Sequence, residues 1–152
     1  MLIWKFLHIA SMFTAVTLLF AYDIVIHRSS ARGDVATVRA VGKLKPLVEN
    51  SGIAIFFVGV AFGIVAALVG PFDLTQGWLI AAYVLVAILL VLGAGPESAW
   101  LRQLIEAADR DTSGSASAEF TALARDPRRH LSWVSAFLYA AVIYVMVVKP
   151  FS

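Results

Sequence analysis

The chain has 152 residues, the length of a single domain; 61% are hydrophobic, 14% are charged, and the formal net charge is +2. Soluble domains carry about 25% charged residues, so this composition indicates lipid surroundings and excludes an ordinary soluble domain. The net charge is too small to indicate nucleic acid as a partner, and the absence of cysteine excludes disulfides, thiolate metal sites and cysteine nucleophiles.

Four long stretches without Asp, Glu, Lys or Arg predict four membrane-spanning helices. A hydrocarbon core of about 30 Å needs roughly 20 apolar residues, and only a helix satisfies the backbone polar groups of such a segment. The charge-free stretches are residues 6–22, 50–72, 74–96 and 130–148. The predicted spans are residues 3–26, 50–70, 77–95 and 128–148, the first being extended beyond its charge-free stretch to reach the required length. The first span is expected to be retained, because its apolar run exceeds a typical signal-peptide core and Ala21-Tyr22-Asp23 is a poor cleavage site. The predicted fold is all-α, a four-helix transmembrane bundle in one domain, 1–152.

Basic residues predict the orientation of these spans. The loop after span one and the loop after span three each carry five Lys or Arg residues, whereas the termini contribute Lys5 and Lys149. The positive-inside rule therefore places both long loops in the cytoplasm and both termini outside, and it makes anionic lipid head groups the expected partners of the loops. Five aromatic residues fall near the predicted interfaces, namely Trp4, Phe72 and Trp78 outside, and Trp100 and Trp133 inside.

Both basic loops contain helical patterns. Asp34 is a predicted N-cap, Pro46 interrupts the first pattern, and residues 111–118 form a predicted flexible connector. Asp126 and Pro127 predict the N-cap and first helical position of span four. The apolar positions are Val35, Val38, Val41, Leu44 and Val48 in the first loop, and Trp100, Leu101, Leu104, Ile105 and Ala108 in the third. We therefore expect amphipathic helix extensions in both loops.

A small-xxx-small pair in span two, Gly59 and Gly63, allows another helix to approach closely. Packing within the bundle is the favoured interpretation. Contact between copies in a homo-oligomer, or with another membrane protein, is the alternative.

Ionisable side chains inside the hydrocarbon core are energetically costly, so the presence of each one needs a structural or functional reason. Counting residues from the span ends places His8, Tyr83 and Tyr144 at one depth, about 8 Å inside the outer end. Neutral imidazole is a common ligand of haem iron and transition metals, and Met12 lies one turn below His8. His8 is therefore the candidate cofactor ligand, with the two tyrosines as neighbours. The alternative is a structural histidine bonded to a tyrosine or a backbone carbonyl of another helix.

A second polar layer is predicted at the cytoplasmic ends of spans one and four. Its members are Tyr22, Asp23, His27, His130, Ser132 and Ser135. Asp23 and His27 lie four residues apart and can form an interfacial salt bridge or a proton-handling pair. A site made by His27 and His130 is a further hypothesis. No phosphate loop, metalloprotease motif or nucleophile elbow is present, so no catalytic residue is predicted.

Three short motifs frame the chain: Ile3–Ile9, Gly77–Leu79 and Tyr144–Pro150. Together they resemble a bacterial family of small four-span predicted integral membrane proteins of unknown function. That resemblance covers nearly the whole chain. It implies a multi-pass protein of the bacterial cytoplasmic membrane.

The opening motif also resembles a wider group, which includes the four-helix membrane protoporphyrinogen oxidase and the copper-resistance protein D domain. In the oxidase a histidine at this place in the first span is a haem b ligand, so the resemblance implies haem b at His8. This chain departs from the oxidase at Ala82, where the oxidase has lysine. The oxidase also has a histidine later in its third span, whereas residues 81–96 of this chain contain none. The oxidase reaction itself is therefore not expected.

Three functions follow as hypotheses. The first is a redox-related protein that binds haem b or a metal through His8. The second is a non-enzymatic subunit, assembly factor or scaffold that uses its small-residue face and its amphipathic loop helices. The third is a small transporter that depends on Asp23.

Overall fold

The computed structural model describes residues 2–70, 73–111 and 115–150, and the regular structure in these ranges is helical. Seven α-helices follow one another in these ranges: α1 (Leu2–Ala31), α2 (Val35–Gly42), α3 (Lys45–Val69), α4 (Gly77–Leu92), α5 (Ser98–Arg110), α6 (Ala118–Ala124) and α7 (Leu131–Val148). Among the described residues, four helical stretches are long and apolar enough to cross a membrane: Leu2–Ala31, Lys45–Val69, Gly77–Arg110 and Ala118–Val148. By length and composition, the chain is a multi-pass membrane protein.

The third span differs most from its predicted boundaries. Instead of ending at residue 95, α4 continues into α5 through a π-helical turn, Gly93–Glu97. Pro96 lies inside this turn, and Gly95 has non-helical backbone angles (φ −95°, ψ −105°). Proline lacks an N–H donor and clashes with the preceding helical turn, which explains the break at this place.

The helix boundaries elsewhere have local causes. Asp34 accepts a hydrogen bond from the Thr37 backbone N–H and caps α2, and the hydrogen bonds from Thr37 lower the pKa of Asp34. Asp126 caps a 3₁₀ turn, Pro127–His130, that leads into α7, in agreement with the predicted capping role. Predicted features at Phe72 and in part of the connector, residues 112–114, lie outside the described residues.

The spans pack as two pairs, α1 along α3 and α4 along α7. The glycine pair of α3 faces α1. A Cβ atom at Gly59 would lie 2.8 Å from the Met12 sulfur, and one at Gly63 would lie 2.8 Å from His8 Nδ1. The pair therefore serves packing within the chain, because any side chain at these positions would collide with α1.

The apolar stripes of the loops form a second core at one end of the spans, which we call the loop end. There α2, α5 and α6 pack against the last turns of α1, around fully buried Trp100 and Phe120. The indole N–H of Trp100 donates to the Leu123 carbonyl at 3.0 Å. The amphipathic faces of α2 and α5 are thus covered by each other and by α1 and α6.

Candidate polar site at the loop end of the spans

Three carboxylates occupy one level of the bundle. Asp23 on α1, Glu49 on α3 and Glu97 at the end of the π turn each lie roughly 20 residues, about 30 Å, from the opposite end of their span. This distance matches the thickness of a hydrocarbon core. The three side chains therefore belong to one layer at the loop-end boundary of the membrane, which we call the carboxylate layer.

Glu97 is the most deeply buried member of this layer, with 8% of its surface exposed. The hydroxyl of Ser132 donates to its Oε1, and the hydroxyl of Ser135 donates to its Oε2 at 3.0 Å. Both serines are buried and lie one turn apart on α7. A carboxylate removed from water requires such donors, so α7 supplies the partners that make burial of Glu97 tolerable.

His27 extends this arrangement toward the loop end. Its Nε2 lies 2.8 Å from the Ser132 hydroxyl oxygen, and its ring stacks on Trp100 with the ring centroids 4.8 Å apart. Serine has a single O–H donor, which here is directed to Glu97, so His27 Nε2–H is the donor in its bond with Ser132. The result is a directed chain of hydrogen bonds from His27 through Ser132 to Glu97.

The other two carboxylates lie on the α1 and α3 side of the layer. Lys45 forms an ion pair with Glu49 one turn later and donates to the Ser98 hydroxyl at 3.3 Å. The charges of Glu97, Glu49 and Lys45 all act on Asp23. Three acidic side chains thus share the neighbourhood of one lysine, which leaves the layer short of positive charge.

Tyr22 adds an unsatisfied group to the same layer. Its side chain is buried, and its hydroxyl has no hydrogen-bond partner among the described residues. The charges of Asp23 and Glu49 both act on that hydroxyl. A buried hydroxyl without a partner beside carboxylates leaves hydrogen-bonding capacity for a further group, such as a water molecule, in the layer.

His8, Tyr83 and Tyr144, which the sequence places at one depth, have separate surroundings in the structure. His8 Nδ1 lies 2.7 Å from the Gly59 carbonyl, which matches the structural alternative of a histidine bonded to a carbonyl of another helix. Tyr83 and Tyr144 are 50% and 60% exposed on α4 and α7. In the described ranges, no hydrogen bond or ring contact joins His8 to either tyrosine.

The predicted pairs of the second layer also take other partners. His27 bonds to Ser132 rather than to Asp23, and His130 accepts a hydrogen bond of 3.3 Å from the neighbouring Arg129. Within 2–70, 73–111 and 115–150, no group of three His, Asp or Glu side chains is arranged to hold a metal ion.

The sequence patterns do not predict Glu49 and Glu97 as site residues. Each lies directly beside an apolar stretch. A search for stretches without charge therefore ends at these residues and leaves them outside the predicted spans. The signal that identifies them is depth, because each lies as far from the opposite end of its span as Asp23 does. A carboxylate at that depth in three spans is a stronger pattern than any one of them alone.

Searches against protein-family models, curated proteins and solved structures found no match. The membrane class of the chain therefore rests on its four apolar helices. The candidate site rests on the contacts of the carboxylate layer.

Proposed function

We propose that the protein moves protons across a bacterial cytoplasmic membrane and that the carboxylate layer binds them. The observation that carries this proposal is Glu97, a buried carboxylate held by Ser132 and Ser135 beside a break in a spanning helix. Carboxylates within spanning helices are typical of proton pathways, and Glu97 lies within the third spanning stretch, Gly77–Arg110, at its interruption. A proton-moving function is a form of the transporter hypothesis, with Glu97 as a second proton-binding residue besides Asp23.

The charge of the loops supports an orientation for this pathway. Ten of the 12 Lys and Arg residues lie at the loop end, and Lys5 and Lys149 lie at the other. By the positive-inside rule the loop end faces the cytoplasm and both termini face outward. The carboxylate layer would then receive protons from the cytoplasmic side.

The contacts suggest how a proton would pass. His27 lies on the loop side of Ser132. When its Nδ1 takes a proton from the loop side, its Nε2 can release a proton to the Ser132 oxygen while the Ser132 hydroxyl passes its own proton to Glu97, and His27 returns to the neutral form. Tyr139 continues the face of Ser132 and Ser135 along α7, and the charges of Glu97 and Asp23 act on it. Binding a proton also relieves the repulsion between carboxylates that share a site away from water.

Replacing Glu97 with glutamine tests this proposal. Glu97→Gln preserves the size of the side chain and removes the proton-binding carboxylate. We expect proton movement to fall about a hundredfold, which is the lower end of what a positioned proton-transfer group contributes. The measurement is the internal pH of proteoliposomes, reported by an enclosed dye after a potassium diffusion potential is imposed.

The matched control is Glu106→Gln, which makes the same change at an exposed carboxylate of α5. Its flux should equal that of the unmodified protein. The proposal is wrong if the unmodified protein moves protons no faster than empty liposomes, or if Glu97→Gln retains the flux.

A second function, haem or metal binding at His8, has one specific observation in its favour. Donation of the Nδ1 proton to the Gly59 carbonyl leaves Nε2 as the nitrogen with a free lone pair. Histidines that ligate metals are usually held in this way by a carbonyl or carboxylate. His8 would hold the haem b through Nε2, and the haem would supply redox chemistry.

A spectrum tests this second function. Protein purified from haem-replete cells should show a Soret band that His8→Ala abolishes and that His130→Ala, at an exposed histidine, preserves. Colourless, metal-free protein from such cells would exclude His8 as a ligand.

A scaffold function has less support. The apolar stripes of α2 and α5 are buried within the chain, and the Gly59–Gly63 surface is covered by α1. Neither surface is therefore left for a partner protein or for a second copy.

A further inference from the structure

A cleft at the loop end gathers three arginines that the proposed proton pathway does not use. The cleft has a volume of about 330 Å³ and lies between the end of α1, α6 and the turn that leads into α7. Arg32, Arg125 and Arg129 line it together with Ser30 and Thr121, and buried Phe120 also contributes. Three arginines thus line an opening large enough for a small anion.

The local backbone explains how these arginines come together. The α1 helix ends in a turn in which Gly33 has a φ of +70°, a conformation that suits glycine. The Gly33 N–H donates to the Ser30 carbonyl at 3.1 Å, and this turn carries Arg32 to the edge of the cleft. Arg129 is fixed from the other side, because its Nη1 donates to the Ala124 carbonyl at 3.1 Å.

The positive charge of the cleft is only partly compensated by neighbouring acids. Arg32 and Arg125 are exposed, and neither forms an ion pair with a described residue. Asp126 follows Arg125 directly, but its carboxylate is held by Arg128 at 2.8 Å. Asp34 caps α2 through Thr37. The charge of Arg32 acts on Asp34, and Asp126 is paired with Arg128. One remaining carboxylate beside three arginines leaves the cleft with a net positive charge.

We propose that this cleft binds a phosphate group. The planar guanidinium fork matches the oxygens of phosphate, and several arginines around one cavity are a common arrangement for phosphate recognition. The hydroxyls of Ser30 and Thr121 add polar groups to the wall, and Phe120 and Ala124 add an apolar surface. The phosphate can belong to a lipid head group at the membrane boundary or to a soluble compound.

The experiment compares two double variants of equal charge. In Arg32→Gln/Arg125→Gln two arginines of the cleft are lost, whereas in Arg28→Gln/Arg102→Gln two exposed arginines outside the cleft are lost. The purified proteins are titrated in detergent with short-chain phosphatidic acid, with short-chain phosphatidylcholine and with inorganic phosphate. Binding is measured by native mass spectrometry, and helical content by circular dichroism verifies that each variant is folded.

We expect the cleft variant to bind phosphatidic acid about thirtyfold more weakly, and the control variant to remain within about threefold of the unmodified protein. Tight binding of phosphatidic acid, without binding of the other two probes, identifies a lipid head group as the source of the phosphate. Binding of inorganic phosphate with the same loss in the cleft variant identifies a soluble phosphate compound. Equal weakening in both double variants, or no binding of any of the three probes, would overturn the proposal.

Discussion

Gly63→Leu should destabilise the protein by about 3 kcal/mol, the upper part of the usual range for overpacking a close contact. A Cβ atom at Gly63 would lie 2.8 Å from His8 Nδ1 and 2.9 Å from His8 Cε1. The ring cannot move away freely, because Nδ1 bonds to the Gly59 carbonyl at 2.7 Å. The larger side chain must therefore separate α1 from α3 or break that hydrogen bond. Thermal or denaturant unfolding in detergent measures the change.

Gly93→Leu is the matched control for this prediction. A Cβ atom at Gly93 would meet nothing within 4 Å, and the residue has helical backbone angles that any side chain adopts. Its stability should remain within about 1 kcal/mol of the unmodified protein. If Gly63→Leu changed only the oligomeric state and left unfolding unchanged, the pair Gly59 and Gly63 would serve contact between copies.

Trp100→Ala should cost about 3–5 kcal/mol, the usual range for removing a large buried aromatic side chain. Trp100 is 1% exposed, stacks on His27 and donates its indole N–H to the Leu123 carbonyl at 3.0 Å. Its removal would leave a cavity where α1, α5 and α6 meet and would also leave a carbonyl without its donor. Unfolding in detergent measures the loss, and hydrogen exchange should locate it in α2, α5 and α6.

Trp133→Ala provides the comparison, because Trp133 is 69% exposed on α7. Its loss should cost less than about 1 kcal/mol in detergent, where no bilayer interface is present to be anchored. Similar losses of stability for the two variants would contradict the assignment of Trp100 to a core at the loop end.

The core around Trp100 also positions a residue of the proposed proton pathway. His27 is held between the ring of Trp100 and the hydroxyl of Ser132, so the loop helices position the donor of the hydrogen-bond chain. A shift of α5 would move Trp100 and with it the orientation of His27. The loops that the sequence marks as amphipathic therefore contribute to the site as well as to stability.

The number of spans and several of their ends follow from local physics. An apolar run of roughly 20 residues must be helical in lipid whatever its neighbours are, and Asp34 and Asp126 cap helices through bonds to residues two or three positions later. The close approach at Gly59 and Gly63 is likewise implied by the absence of a side chain. These features depend on residues that are near one another in the chain, and for that reason a single sequence suffices to predict them.

The partners of each polar side chain depend on the tertiary structure. Whether Glu97 points to water or to α7 is decided by the π turn before it and by the position of Ser132 and Ser135 more than 30 residues later. In the same way, the rotation of α1 against α3 decides that His8 meets the Gly59 carbonyl rather than a tyrosine. Composition and spacing establish a four-helix membrane protein with ionisable groups at two depths. Only the packing of the helices shows that His27, Ser132 and Ser135 are linked by hydrogen bonds that include Glu97, because hydrogen bonds between distant residues require three-dimensional proximity.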